Sequence, residues 1–180
     1  MQHLGTKELH TPRLTLRPFT VDDAPAMYTN WASDPEVTKY LTWPTHASVE
    51  VSRMICADWA SRYAEPDYYQ WAIVCEDQPI GSISVVNHDD RVGKAEIGYC
   101  IGHAWWHMGI VTEAANTVMT FLFDEVGYQR LEARHDPRNP HSGAVMRKCG
   151  MKYESTLRQS DWNNQGICDA AWYSLLKSER

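Results

Sequence analysis

The hydrophobic period of this chain changes from two to 3.6 within one short stretch, and that change limits its folds more than any other feature. From Tyr68 onward apolar residues recur at strand spacing: Tyr69-Gln70-Trp71-Ala72-Ile73-Val74, a break at Asp77-Gln78-Pro79, then Ile80-Gly81-Ser82-Ile83-Ser84-Val85-Val86. This predicts a hairpin. A polar turn over 87–93 leads to a third strand, Lys94-Ala95-Glu96-Ile97-Gly98-Tyr99-Cys100-Ile101, in which Gly98 marks a bulge or a close approach. Residues 112–127 then carry Ala115, Val118, Met119 and Leu122 on one face and end at Gly127, which predicts a helix. A meander followed by an amphipathic helix calls for an α/β domain with a sheet packed against helices.

The flanking sequence fits that frame. Arg13-Leu14-Thr15-Leu16-Arg17 alternates before Pro18, as a half-buried strand does. Thr20 to Asp23 offer cap-type side chains ahead of a helix to about Ala32, with Pro25 in its first turn. Asp34-Pro35-Glu36 restarts a short helix, Thr42-Trp43-Pro44-Thr45 breaks it, and Ser48 caps a stripe of Val51, Ile55 and Trp59. A strand over 130–135, a turn at Asp136-Pro137-Arg138-Asn139-Pro140, a short helix over 142–149 closed by Gly150, and two strands over 151–157 and 168–176 joined at 161–166 complete the chain. There is no internal repeat, low-complexity tract or linker, so residues 1–180 read as one domain.

A net charge of −6 with no Lys/Arg cluster speaks against nucleic acid as a partner. No apolar run reaches the roughly 20 residues of a membrane helix, and the first residues lack the order of a secretory signal, so no membrane and a cytoplasmic location are expected. Five scattered cysteines without a Cys-x-x-Cys pair suggest core thiols. His103 and His107 have the spacing of a helical metal pair, but Ala104 stands where the metalloprotease glutamate would be and Gly109 follows at once, so no metal is expected there.

The chemistry concentrates after the third strand. The chain passes a tight segment around Gly109 and enters the helix, whose first N–H groups have no intrahelical partner and favour an anion. Gly109, without a Cβ, lets backbone and ligand approach closely, and Thr112 adds a hydroxyl.

Three ordered groups, Ala95-Glu96-Ile97-Gly98-Tyr99, Gly109-Ile110-Val111-Thr112-Glu113-Ala114 and Arg130-Leu131-Glu132-Ala133-Arg134, are followed by Asn139, Ser142, Lys148 and Gly150. With them the chain resembles the GNAT superfamily of N-acetyltransferases, most closely its RimJ/RimL-type branch, over a core of about 11–176. The resemblance implies a mixed, mostly antiparallel sheet splayed in the middle, helices on both faces, and acetyl-CoA as co-substrate in the gap. It implies an amine-bearing acceptor, a protein N-terminus or a small amine, entering opposite. The family loop Gln/Arg-x-x-Gly-x-Gly/Ala maps onto Trp106-His107-Met108-Gly109-Ile110-Val111, with Trp106 in place of the polar residue and Val111 in place of the small one. Ile101, these loop residues and Thr112 are thereby implied cofactor contacts, and Asn139, in Asn139-Pro140-His141-Ser142, resembles the residue that hydrogen-bonds the pantetheine arm.

Many relatives protonate the departing thiolate with a tyrosine at the position of Met146, which has no proton to give, so Ser142 is the implied acid near the sulfur. The attacking amine must be neutral, and Glu96 is the first candidate base, with His135 and Asp136 second. Direct attack needs no covalent enzyme intermediate, which leaves Cys100 and Cys149 as core residues. The tryptophans read mainly as core or interface anchors; Trp43 is the acceptor-pocket candidate, and an exposed tryptophan-rich surface would suit a homodimer. Val111, Met146 and the Trp105-Trp106 pair motivate an alternative, a CoA-binding regulatory or interaction module with lost catalysis.

Overall fold

In the computed structural model, which describes residues 1–180, the alternating runs form one eight-stranded sheet. Its strands are β1 Leu9–His10, β2 Leu14–Arg17, β3 Gln70–Cys75, β4 Gln78–Asp89, β5 Lys94–Ile101, β6 Arg130–His135, β7 Lys152–Asn163 and β8 Gly166–Leu176. They lie in the order β1-β2-β3-β4-β5-β6-β8-β7, and every neighbouring pair is antiparallel except β5 with β6.

Helices cover both faces. On one face α1 Ala24–Met27, continued by a π turn over Tyr28–Ala32, packs with α2 Pro35–Thr38 and α3 Val49–Arg62. On the other lie α4 Ile110–Phe121, continued by a π turn over Leu122–Val126, and α5 Pro140–Lys148. β3 shows why its sequence is apolar at nearly every position. Trp71 and Ile73 face the main core with Ala115, Val118 and Leu122, whereas Ala72 and Val74 face a second core with Met27, Trp31 and Cys56. Burying each large apolar side chain stabilises the fold by about 1.5–3 kcal/mol. Trp71 is fully buried and still satisfies its indole N–H, which donates to the Lys7 carbonyl at 2.7 Å.

The boundaries depart from the expected ones in instructive ways. The β3–β4 turn falls on Glu76 and Asp77, with φ of 49° and 61°, one residue before the expected break. Pro79 is inside β4, opposite Val74 at a register shift, where its missing N–H is tolerated. The polar run expected to turn over 87–93 turns only at its end. Asn87, His88 and Asp89 pair through their backbones with Glu96, Ala95 and Lys94, so β4 is longer than its apolar residues suggest. Ser48 occupies the cap position of α3 but its side chain caps nothing, while Asp34 accepts the Glu36 N–H at 2.9 Å ahead of α2. The two tail strands extend into one long hairpin that turns only between Asn163 and Gly166.

Two irregularities place the site. The extra residue of the β4–β5 pair is Val86, and a Cβ on Gly98 across from it would lie 2.9 Å from Val86 Cγ1. The close approach expected at Gly98 is therefore real, with the bulge on the partner strand. Beyond it, β5 and β6 pair only as Lys94 with Arg130, Ala95 with Leu131 and Glu96 with Glu132. From there β5 runs on to Ile101 without β6 beside it, which opens the sheet between them. No helix is long and apolar enough to cross a membrane.

Candidate active site

The open half of β5 leads directly into the loop before α4. Trp106 folds back over the strand end, its indole N–H donating to the Ile101 carbonyl at 3.0 Å, so an aromatic ring does the fastening at this position. His107 and Gly109 then adopt left-handed backbone, with φ of 63° and 73°, and turn the chain sharply into the helix. The first closed amide of α4 is that of Glu113, which donates to the Gly109 carbonyl at 3.1 Å. The N–H groups of Ile110, Val111 and Thr112 precede it without an intrahelical acceptor.

The N-terminal segment fixes this loop from outside. Arg13 donates from Nη1 to the Met108 carbonyl at 2.9 Å and from Nε to Glu113 Oε2 at 2.7 Å, and Thr11 donates to Glu113 Oε1 at 2.5 Å. Although burial works against it, these hydrogen bonds hold the Glu113 carboxyl below its usual value. With that carboxylate engaged by Arg13, the positive end of the helix dipole remains available to an anion.

A cavity of about 280 Å³ lies between β5, the start of α4 and α5. Ile101, Trp106, His107, Gly109, Ile110, Val111, Thr112, Asn139 and Ser142 line it, so nearly all the residues implied for the cofactor come together. Met108 does not. Its side chain is exposed and its carbonyl is spent on Arg13. Val111 belongs to the main core as well as to the cavity wall. The donor set fits a diphosphate-bearing arm: open amides at the helix start, two left-handed residues that curve the backbone, and Asn139 and Ser142 farther along the same cavity.

The profile of the acetyltransferase (GNAT) domain matches residues 13–152. The chain belongs to the GNAT acetyltransferase family. It is 31% identical over 173 residues to the N-acetyltransferase p20 of Bacillus licheniformis, covering 95% of this chain and 97% of p20. The crystal structure of a GNAT-family acetyltransferase from Bacillus anthracis superposes with a TM-score of 0.84 at 23% identity, covering 96% of this chain and 100% of that one. RimL, the ribosomal L7/L12 alpha-N-protein acetyltransferase solved with coenzyme A, also reaches 0.84, at 20% identity over 94% of this chain and 98% of its own. The splayed, mostly antiparallel sheet and the RimJ/RimL-type likeness agree with what the sequence implied.

Within this GNAT fold, one residue missed by the sequence stands beside Ser142. Tyr99 lines the cavity and donates from its hydroxyl to the Ser142 carbonyl at 2.9 Å, while Ser142 Oγ donates to the Tyr99 hydroxyl at 3.4 Å. Burial raises the Tyr99 phenol well above its ordinary value, the contact with Ser142 only partly opposing this. Met146, where the resemblance implied a tyrosine, lies on α5 and is buried in the main core. Val37 of α2, Tyr40 and Leu41 just after it, and His141 also line the cavity.

Trp43, the expected acceptor-pocket residue, is not among them. Its ring sits 5.2 Å from that of His46 and packs on the second core. His103 and His107 are also separated in role: left-handed backbone at His107 destroys helical spacing, His103 stacks on Trp106 at 4.2 Å, and His107 meets His141 at 4.9 Å. Of the five free cysteines, Cys56, Cys149 and Cys168 are buried. Burial pushes the Cys149 thiol up to about 11, which leaves it protonated near neutrality and a poor nucleophile.

The candidate bases lie apart from the cavity walls. Glu96 is buried at the fork where β5 and β6 part, and Arg134 donates to its carboxylate while also holding Asp161 at 2.6 Å. Burial raises the Glu96 carboxyl, with the Arg134 charge opposing. Asp136 is the reverse: against the cost of burial, Arg138 at 2.6 Å and Asn163 at 2.9 Å hold it down to about 2, too low for an effective base at neutral pH. His135 packs its ring against Gly143 of α5, where an added Cβ would come within 2.5 Å of Nε2, and it does not line the cavity.

Proposed function

We propose that this enzyme moves the acetyl group of acetyl-CoA to a primary amine by direct attack within a ternary complex. The observation that carries the reading is the run of open amides at Ile110, Val111 and Thr112 facing a cavity that also holds Asn139 and Ser142. Acetyl-CoA, when bound, supplies the activated thioester. The amides at the helix start take the diphosphate, Gly109 permits its approach, and Asn139 holds the amide-bearing arm.

The neutral amine forms the new C–N bond as the C–S bond breaks. In this reading Ser142 Oγ gives its proton to the leaving thiolate. The Tyr99 hydroxyl, which donates to the Ser142 carbonyl, keeps the first turn of α5 against β5 and so supports that assignment. Glu96 takes a proton from the acceptor ammonium through intervening water before attack, which frees the lone pair. The proton that the nitrogen loses as the amide forms restores the Ser142 hydroxyl. The raised carboxyl value of Glu96 suits it to its task better than Asp136. The products are an amide and free CoA. The acceptor enters past Val37, Tyr40 and Leu41, and an N-terminal peptide, the class named for RimL, is the first substrate to test.

Mixing the protein with acetyl-CoA and a panel of N-terminal peptides and small amines, and following free thiol, tests the proposal. Amine-dependent thiol release is expected. Binding of acetyl-CoA without release on any amine would instead mark a module that has lost catalysis.

A further inference from the structure

At the far end of β4 from the cleft, two imidazoles and a carboxylate meet that acetyl transfer does not use. His3 Nε2 lies 3.0 Å from Asp90 Oδ2, and His88 Nδ1 lies 2.9 Å from Asp90 Oδ1. The donor atoms of His3, His88 and Asp90 all fall within 4.8 Å of one another, so small side-chain rotations bring them around one ion. Such an ion holds nitrogen and oxygen ligands at about 2.0–2.2 Å.

The outer contact of one imidazole is already built, and the other has a carboxylate close by. Ligating histidines are oriented by a hydrogen bond from the ring nitrogen that does not bind the metal. His3 Nδ1 is 3.0 Å from the Tyr69 hydroxyl, and His88 Nε2 is 3.8 Å from Asp67 Oδ2. Tyr69 is itself buried in the core and accepts the Leu4 N–H at 3.2 Å, so the support for His3 is anchored in the core and not in mobile surface groups. The charge balance also favours a cation. Asp90 and Asp67 pair with no Lys or Arg, because Arg91 is engaged by Asp89 at 2.7 Å.

We propose that His3, His88 and Asp90 bind a divalent transition cation of zinc's class, with water completing the coordination. Two imidazoles and one carboxylate suit that class better than magnesium or calcium, which select oxygen ligands. Asp90 is half-exposed, so an ion enters from solvent. Asp89 pairs with Lys94 at the start of β5, whereas Ile101 at its other end lines the cleft. Seven steps along a strand are roughly 23 Å, which makes the ion a staple joining the N-terminal segment to the β4–β5 turn and no participant in the chemistry. Unlike His103 and His107, the residues 3, 88 and 90 have no ligand spacing in the sequence and meet only in the fold.

The test uses the untagged full chain, stripped with EDTA and titrated with zinc chloride by calorimetry, beside thermal melts with and without zinc. One zinc per chain and a melting temperature that rises with zinc are expected. His88→Ala and Asp90→Asn should each weaken binding at least tenfold and abolish the thermal shift, and Tyr69→Phe should weaken it less. Melts in EDTA show that each variant is folded, and Asp90→Asn, conservative and half-exposed, keeps the test valid if another is not. No zinc uptake, or uptake unchanged in His88→Ala and Asp90→Asn, would overturn the site and leave the cluster as ion pairs alone.

Discussion

Gly109→Ala tests whether backbone conformation or space is what the loop before α4 requires. Gly109 has φ of 73°, and a Cβ there would meet only Arg13 Nη2, at 3.7 Å, an ordinary contact with a flexible side chain. The cost is therefore conformational: holding an L-residue in the left-handed region takes about 1–2 kcal/mol. For a domain of this size each kcal/mol lowers the melting temperature by roughly 2–4 °C, so calorimetry should find a fall of about 2–8 °C. If the loop relaxes to relieve about 1.4 kcal/mol of that strain at the expense of its amides, CoA affinity falls about tenfold by titration calorimetry. Gly109→Asn should recover much of both losses, since asparagine enters the left-handed region more readily. Gly102→Ala is the contrast, because its Cβ would sit 2.3 Å from the Asn30 carbonyl oxygen, and it should destabilise far more. An alanine variant at 109 as stable as the parent, or an asparagine variant no better than alanine, would refute the argument from φ.

Glu96→Gln should reduce turnover at least tenfold while sparing CoA binding and shifting the melting temperature little, since glutamine can still accept from Arg134. In the parent, the acidic limb of the rate profile should lie above the ordinary carboxylate range, because burial raises Glu96, and the variant should lose that limb. Tyr99→Phe leaves the Ser142 carbonyl without its 2.9 Å donor and should lower kcat more than it raises the KM for acetyl-CoA, with a stability loss of about 1–2 kcal/mol by denaturant titration. Asp136, held down to about 2 in the fold against an unfolded value of 3.8, contributes stability that is full above about pH 4 and is lost as pH falls toward 2. Arg138→Ala should remove most of that contribution, Asn163 keeping the rest, so its stability difference from the parent should shrink over the same interval.

The parts of this fold that were legible in the sequence are those where one local pattern decides. The short apolar run of β3, the strand spacing over β4 and β5 and the helical stripe of α4 needed no distant partner to be read. The end of β4 was misread because Asn87, His88 and Asp89 are polar side chains on a backbone that pairs regardless. Gly109 was legible because a glycine before a helix has few purposes. Tyr99 was not, since its partner Ser142 lies 43 residues away on α5. Trp43 looked like pocket lining from its proline-flanked loop, but the ring found His46 and the second core. Glu96 was visible as a strand glutamate, whereas its bond to Arg134 depends on which strand lies beside β5.

The clamp of Arg13 on the loop before α4 joins residues 100 positions apart, and closing so long a stretch of chain is slow to be rewarded in folding. The curved backbone at 107–109 therefore takes its final shape only after the amino-terminal segment has docked beside α4. A refolding chain should acquire its helical signal before it can retain CoA, and the delay between the two would time the arrival of Arg13. Fragments that begin beyond that residue should keep much of the sheet and lose the grip on the nucleotide end of the co-substrate.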